Sequence, residues 1–232
     1  THSFIAYYDD TMLEAAIKYK TIVDEFDDAI KAGEFKMYLQ PQISAKTRRL
    51  TGAEALVRRI KPDGTIISPI DFIPVYEKSG LISRLDRYIW EQAAAKLGEW
   101  KKAGINMSIS VNISPKDFYY IDIFNTFAGL IKKYDIEPSN LKIEITETTI
   151  MSDDMGFIKE TKNVKKSRII LASVIKMAKE LNLLIITEGV ETEEQVDNLT
   201  KLGCDVFQGY YFSKAIDVNE FEKRYLYRKK AG

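Results

Sequence analysis

Oxygen-bearing side chains stand where buried β-segments should be apolar, and their types point to cation and phosphate chemistry. Glu54 interrupts Thr51-Gly52-Ala53-Glu54-Ala55-Leu56-Val57-Arg58, and Asn112 ends Ser108-Ile109-Ser110-Val111-Asn112. Glu144 and Glu147 punctuate Ile143-Glu144-Ile145-Thr146-Glu147, Glu188 ends Ile185-Ile186-Thr187-Glu188, and Gln208 sits in Phe207-Gln208-Gly209. An unpaired buried carboxylate is costly, so several of them meeting at one place require cations between them. Carboxylates together with an Asn carbonyl form the oxygen-only set that suits Mg²⁺ or Mn²⁺. Arg58, on the same segment as Glu54, is either a surface ion-pair partner or a clamp for an anion such as phosphate. Glu147 and Glu191 are equally well explained as solvent-facing or arginine-paired acids.

Composition narrows the chemistry further. The chain has 232 residues, 34 Lys+Arg against 34 Asp+Glu, one His and one Cys. A lone His2 and a lone Cys204 exclude a Ser-His-Asp or Cys-His catalytic arrangement, a Cys-based zinc site and an internal disulfide. Zero net charge argues against a surface built for a nucleic-acid polymer, which needs clustered Lys/Arg, while leaving a small nucleotide open. No apolar run approaches the roughly 20 residues of a membrane span and no signal pattern opens the chain, so a cytoplasmic location is expected. Cys204 is expected to be a buried small hydrophobe.

The elements that must position these groups follow from periodicity. Asp9 to Ala32 carries Met12, Leu13, Ala16, Ile17, Ile22, Val23, Phe26 and Ile30 at helical spacing, closed by Gly33, and predicts one long amphipathic helix. Asp24-Glu25-Phe26 within it reads as helix core rather than as a cyclase signature. Strands are expected at 35–43, 50–58, 107–113, 141–148, 183–190 and 206–212, with helices at 69–77, 83–103, 115–134, 165–181 and 193–203. This alternation predicts an α/β fold with a parallel sheet, as a (β/α) barrel or a doubly wound sheet. No Gly-x-Gly-x-x-Gly or P-loop follows any strand, which favours the barrel. Glu54, Asn112, Glu144 and Glu188 then fall near the C-terminal strand ends, where barrel enzymes build their sites. Only residues 150–164 separate the fourth of these strands from the next helix, too few for the strands and helices a closed barrel demands.

These residues resemble the EAL-domain family of cyclic di-GMP phosphodiesterases. The resemblance rests on Glu54-Ala55-Leu56, Gln40-Pro41, Pro69-x-x-Phe72-Ile73-Pro74-x-x-Glu77, Val111-Asn112-Ile113-Ser114, Glu144-Ile145-Thr146-Glu147, Glu188-Gly189-Val190-Glu191-Thr192 with Gln195, and Gln208-Gly209-Tyr210. It implies a modified TIM (β/α)8 barrel with an antiparallel first strand, whose mouth binds cyclic di-GMP and two Mg²⁺ or Mn²⁺ ions. It implies that Glu54, Asn112, Glu144 and Glu188 hold the metal, with Glu54 and Glu188 catalytic. By the same resemblance Gln40, Leu56, Arg58 and Gln208 bind substrate, the product is linear pGpG, and two copies pair as a homodimer. Tyr7-Tyr8-Asp9-Asp10 and the helix after it are similar to the tail of a GGDEF domain and its connector. That divides the chain into 1–33, upstream tail and connector, and 34–232, the barrel.

Two of the family's motifs have no match. Its Asp-Asp-Phe-Gly, which holds metal, and its Lys-Ile-Asp, whose lysine positions the attacking water, are both missing. Asp154-Met155-Gly156-Phe157-Ile158 is similar to the stretch after Lys-Ile in the second motif. About forty residues are thus expected to be absent between Asp153 and Asp154, enough for the strand-helix-strand that barrel closure requires. Asp153-Asp154 is a solvated pair rather than the lost motif. Natural loss of a barrel strand would cost far more than the roughly 5–15 kcal/mol that stabilises a domain, which favours residues missing from the chain. Without the two motifs, the alternative is a receptor that binds cyclic di-GMP and does not cleave it.

Overall fold

A computed structural model describes residues 10–114, 116–145 and 186–227. Helices α1 (Asp10–Asp24) and α2 (Phe26–Lys31) lead into strand β1 (Phe35–Ser44), followed by β2 (Leu50–Ile60) and the short β3 (Ile66–Ile67). Helices α3 (Pro69–Ser79) and α4 (Ile82–Lys102) precede β4 (Ile109–Ile113). Helices α5 (Asp117–Tyr120) and α6 (Ile123–Tyr134) precede β5 (Leu141–Ile145). Beyond the undescribed residues come β6 (Ile186–Thr187), α7 (Glu193–Leu202), β7 (Val206–Phe207), β8 (Ile216–Asp217) and α8 (Val218–Phe221).

The strands form one sheet in the order β5-β4-β2-β1-β7-β6, with β3 on β2 and β8 on β1. β1 runs antiparallel to both β2 and β7, whereas β2, β4 and β5 are mutually parallel and β6 is parallel to β7. This is the expected α/β barrel arrangement with its first strand reversed, curled around a polar interior. Register places the functional candidates side by side: Gln40 opposite Glu54, Glu54 opposite Ser110, and Asn112 opposite Glu144. Residues paired across neighbouring strands share a face, so all of them point inward together.

The apolar layer lies between sheet and helices, where Leu39, Ala53, Ala55, Ile109 and Val111 meet Leu85, Ile89, Trp90, Ala93 and Leu97 of α4. An aromatic cluster at one end joins Phe26 of α2 to Tyr76 of α3, ring centroids 4.9 Å apart, and Phe35 to Phe72 at 5.7 Å. Phe26 and Ala29 therefore belong to the same buried cluster as β1, in keeping with Asp24-Glu25-Phe26 as helix core. Arg59, 4% exposed, ties both N-terminal helices to β2 by pairing with Glu25 at 2.7 Å and Glu34 at 2.8 Å.

Several sequence expectations change: the strand expected over 183–190, described from 186 onward, ends at Thr187. The first helix divides at Glu25, and Met12, Leu13 and Ile17 are exposed, so its apolar stripe is buried only in the second half. The helix expected over 115–134 divides because Ile121 is extended and Asp122 starts α6, accepting from the Asn125 N–H at 3.0 Å. The last strand stops at Phe207 instead of Phe212: Gly209 lies so close to the Val190 backbone that any Cβ would collide, and the chain turns there. Cys204 is buried, as expected of a small hydrophobe. The expected helix at 165–181, Glu147, Asp153 and Asp154 lie outside the described residues. Among the described residues no helix is long and apolar enough to cross a membrane.

Candidate metal and nucleotide site

Glu54 stands near the middle of β2 and is 6% exposed. Its Oε1 accepts from Asn112 Nδ2 at 2.7 Å, and its Oε2 accepts from Gln208 Nε2. Because the Asn112 amide donates through nitrogen, its Oδ1 is the atom left to face a cation. Trp90 Nε1 donates to the Asn112 carbonyl at 3.0 Å, fixing the backbone beneath that side chain. Glu144, on β5, accepts from Gln42 Nε2 at 3.0 Å. Glu188 follows β6 and is exposed at the rim. One carboxylate oxygen from each of Glu54, Glu144 and Glu188 lies within 4.8 Å of the others.

Such convergence leaves negative charge uncompensated. Burial, then the Glu144 carboxylate, push the Glu54 carboxyl up to about 7, against the opposing hydrogen bonds from Asn112 and Gln208. Burial and Glu144 also raise Glu188. Among the described residues, no cationic side chain figures in the influences on either group. The donor set, three carboxylates and an amide oxygen, is what a hard divalent ion takes, so the residues present fit Mg²⁺ or Mn²⁺.

Beside the carboxylates opens a cavity of about 420 Å³, half-open to solvent. Leu56, Pro69, Ile73, Ile82, Ile89 and Trp90 give it an apolar wall, and Arg58, Asn112 and the three glutamates give it a polar end. Arg58 donates to its neighbour's Val57 carbonyl at 2.7 Å, lies over the Tyr38 ring at 5.8 Å, and forms no ion pair among the described residues. Among the described residues Arg58 thus has no carboxylate partner, which leaves its guanidinium turned to the cavity it lines. Gln208, 3% exposed, also donates to Gln40 Oε1 at 3.4 Å, while Gln40 Nε2 donates to the Ser213 carbonyl at 3.2 Å. Gln208 thus backs Glu54 directly and Gln40 supports Gln208, whose Oε1 is buried without a partner among the described residues. Glu191 is exposed, and its backbone N–H donates to Gln195 Oε1 at 2.7 Å.

Two features escaped the sequence reading. Gln42 shares the inward face of β1 with Gln40, a period-2 signal that could have singled it out. Asp86 sits on the apolar stripe of α4 and lines the cavity, an acid on a buried face being the available signal. Burial, then the Asp117 carboxylate that it hydrogen-bonds, then Glu77, push Asp86 up to about 9. Asp117 is fully buried; its Oδ2 accepts from the Ser114 N–H at 2.8 Å, and its Oδ1 is buried with no other hydrogen-bond donor among the described residues.

The comparisons with known proteins agree on one family. The family model described as EAL domain matches residues 23–160 and 154–215. The chain is 30% identical over 239 residues to the Signaling protein YkoW of Bacillus subtilis, covering 84% of this chain and 30% of that protein. It is 24% identical over 258 residues to the Bifunctional diguanylate cyclase/cyclic di-GMP phosphodiesterase MucR of Pseudomonas aeruginosa, covering 92% and 38%. It thus spans about a third of these curated relatives. Among solved structures it is similar to the EAL enzyme Bd1971 in its cAMP- and cyclic-di-GMP-bound form, with TM-score 0.79, 25% identity, and 90% of this chain and 69% of that chain covered. With the reversed first strand, the inward carboxylates and a family match over most of its length, the chain belongs to the EAL-domain family.

Proposed function

We propose that this chain binds cyclic di-GMP in the cavity beside Glu54 and hydrolyses it to linear pGpG with Mg²⁺ or Mn²⁺, two ions in the reading taken from the family. The convergence of Glu54, Glu144 and Glu188 within 4.8 Å beside an open, one-sidedly apolar cavity carries this reading. A relative and a solved structure whose names include cyclic di-GMP support the substrate class. Glu54, Asn112, Glu144 and Glu188 would hold the metal. Once bound, it would lower the pKa of a water and neutralise charge on the phosphoryl oxygens.

The chain's own groups do the rest. Gln208 and Asn112 hold the Glu54 carboxylate from both sides, so it meets a ligand already oriented. Arg58, free of any carboxylate among the described residues, presents a guanidinium to a phosphate, where bidentate contact is favoured. Leu56 and the wall formed by Ile73, Ile82, Ile89 and Trp90 offer apolar surface to a purine and exclude water from the polar end. Addition of one water across one P–O bond opens the ring and yields pGpG.

A second reading has an observation of its own. The Asp-Asp-Phe-Gly and Lys-Ile-Asp motifs do not occur in the sequence. The alignment with the Pseudomonas relative is longer than the chain itself, and the two family-model matches overlap at 154–160. Both facts support about forty residues of a complete barrel having no counterpart near Asp153 and Asp154. On that basis the chain would act as a cytoplasmic cyclic di-GMP receptor that retains the nucleotide without cleaving it. Pairing of two copies belongs to the same family-based proposal.

Incubation with cyclic di-GMP and Mg²⁺ or Mn²⁺, with chromatography of the products, separates these readings. Appearance of pGpG is expected; saturable binding without product would replace hydrolysis by the receptor reading, and neither binding nor product would remove both.

A further inference from the structure

One inward side chain has no part in the reaction proposed above, yet holds one of its ligands. Gln42, on β1 and 2% exposed, uses both hydrogens of its amide nitrogen. One goes to Ser110 Oγ at 3.1 Å and the other to Glu144 Oε1 at 3.0 Å. Ser110 in turn donates to the Ala53 carbonyl at 3.4 Å, so its oxygen must accept from Gln42. Both partners therefore require the nitrogen, and the orientation of the amide is fixed.

Gln42 reaches Glu144 across two intervening strands, since the sheet order sets β2 and β4 between β1 and β5. Its cross-strand neighbour on β2 is Gly52. A Cβ there would lie 3.1 Å from Gln42 Oε1 and 2.6 Å from Ser108 Oγ. The absent side chain at Gly52 is the gap through which Gln42 extends. A lysine in this place would also reach a carboxylate but would neutralise it. The amide instead restrains Glu144 while leaving its charge and second oxygen for a cation.

We propose that Gln42 is a positioning residue: together with the space left by Gly52, it holds the Glu144 carboxylate in register with Glu54 and Glu188 and thereby sets the divalent-ion affinity of the cluster. This rests on the metal-binding reading of Glu54, Asn112, Glu144 and Glu188. Partners that orient a ligand in this way typically contribute 10–100-fold in metal affinity.

Mn²⁺ titration of the full chain by calorimetry or electron paramagnetic resonance, with no nucleotide present, tests this. Gln42→Met keeps the volume and removes both hydrogen bonds; Mn²⁺ affinity should fall by about tenfold or more, with the metal-free Tm little changed. In a Glu144→Gln background the same substitution should cost no more than about threefold, because its effect runs through Glu144. Should Gln42→Met not fold, Gln42→Asn, an amide one methylene too short to reach, carries the same expectation. Undiminished Mn²⁺ binding by these variants, or an equal loss with and without Glu144, overturns the role of Gln42 while leaving the metal site standing. A wild-type chain that binds no Mn²⁺ overturns the metal reading and this one with it.

Discussion

Glu54 is held at both oxygens by neutral donors, and Arg58 reaches the same cavity paired to no carboxylate among the described residues, so their roles separate on chemical grounds. Arg58→Ala should raise KM for cyclic di-GMP by about tenfold or more with kcat little altered, since it removes a contact to substrate present before and during reaction. Glu188→Ala should instead remove turnover by loss of a metal ligand; equal defects in kcat and KM for both variants would contradict the division. Asp86 gives a prediction of different kind. The folded chain holds its proton to about pH 9 and the unfolded chain only to about 3.9, so folding takes up a proton between those values. Stability is then greatest at the acid end of this window and declines as pH rises through it. Asp86→Asn, which keeps a donor toward Asp117, should flatten that decline and raise Tm at pH 8 by roughly 2–4 °C or more, corresponding to about 1 kcal/mol or more. Unchanged pH dependence in differential scanning calorimetry would refute the shared proton. Glu54, Asn112 and Glu144 were legible because each is polar within an apolar strand. Period 2 places Gln42 on the inward face but not its role, and Asp117 carries no such signal, since what distinguishes both is a partner on another element, 102 residues away for Gln42 and Glu144.

At the scale of elements, strand alternation located β1, β2, β4 and β5 within a few residues of their observed bounds, because strands buried against helices need short apolar runs. The reversal of β1 came only with the family resemblance; periodicity carries no direction. Where expectation and structure differ, a local polar interaction or close approach wins over periodicity. Asp122 caps a helix that the apolar pattern ran straight through, and Gly209 turns a chain that β-propensity carried on to Phe212. The first helix reads as one amphipathic stripe, but its fully buried residues are Phe26 and Ala29, with Ile22 and Ile30 packed beside them, and Arg59 anchors that half through Glu25 and Glu34. Arg59→Met should leave the mostly buried Glu34 without its partner. Allowing for the partial exposure of Glu25, we expect a loss of about 2 kcal/mol, or roughly 4–8 °C in Tm, without change in Mn²⁺ affinity. An unaltered Tm would show that aromatic packing of Phe26 alone secures these helices.

Across the whole molecule, the path of described strands begins at β5 and ends at β6, and Glu144 and Glu188 sit on those two end strands or just beyond them, while Glu54 lies between on β2. Three distant stretches of sequence therefore meet only when the sheet curls, which is why a barrel was needed to turn scattered acids into one site. The same curl is the reason the sequence raises the expectation of further strands after Glu144: a barrel sets how many must follow, and the spacing of residues 150–164 reads as too short for them. Crystals soaked in Mn²⁺ and measured for anomalous scattering address the convergence itself. Density enclosed by Glu54, Asn112, Glu144 and Glu188 is predicted. Saturating Mn²⁺ that leaves those four side chains without anomalous density would contradict the assignment of this rim as a divalent-ion site.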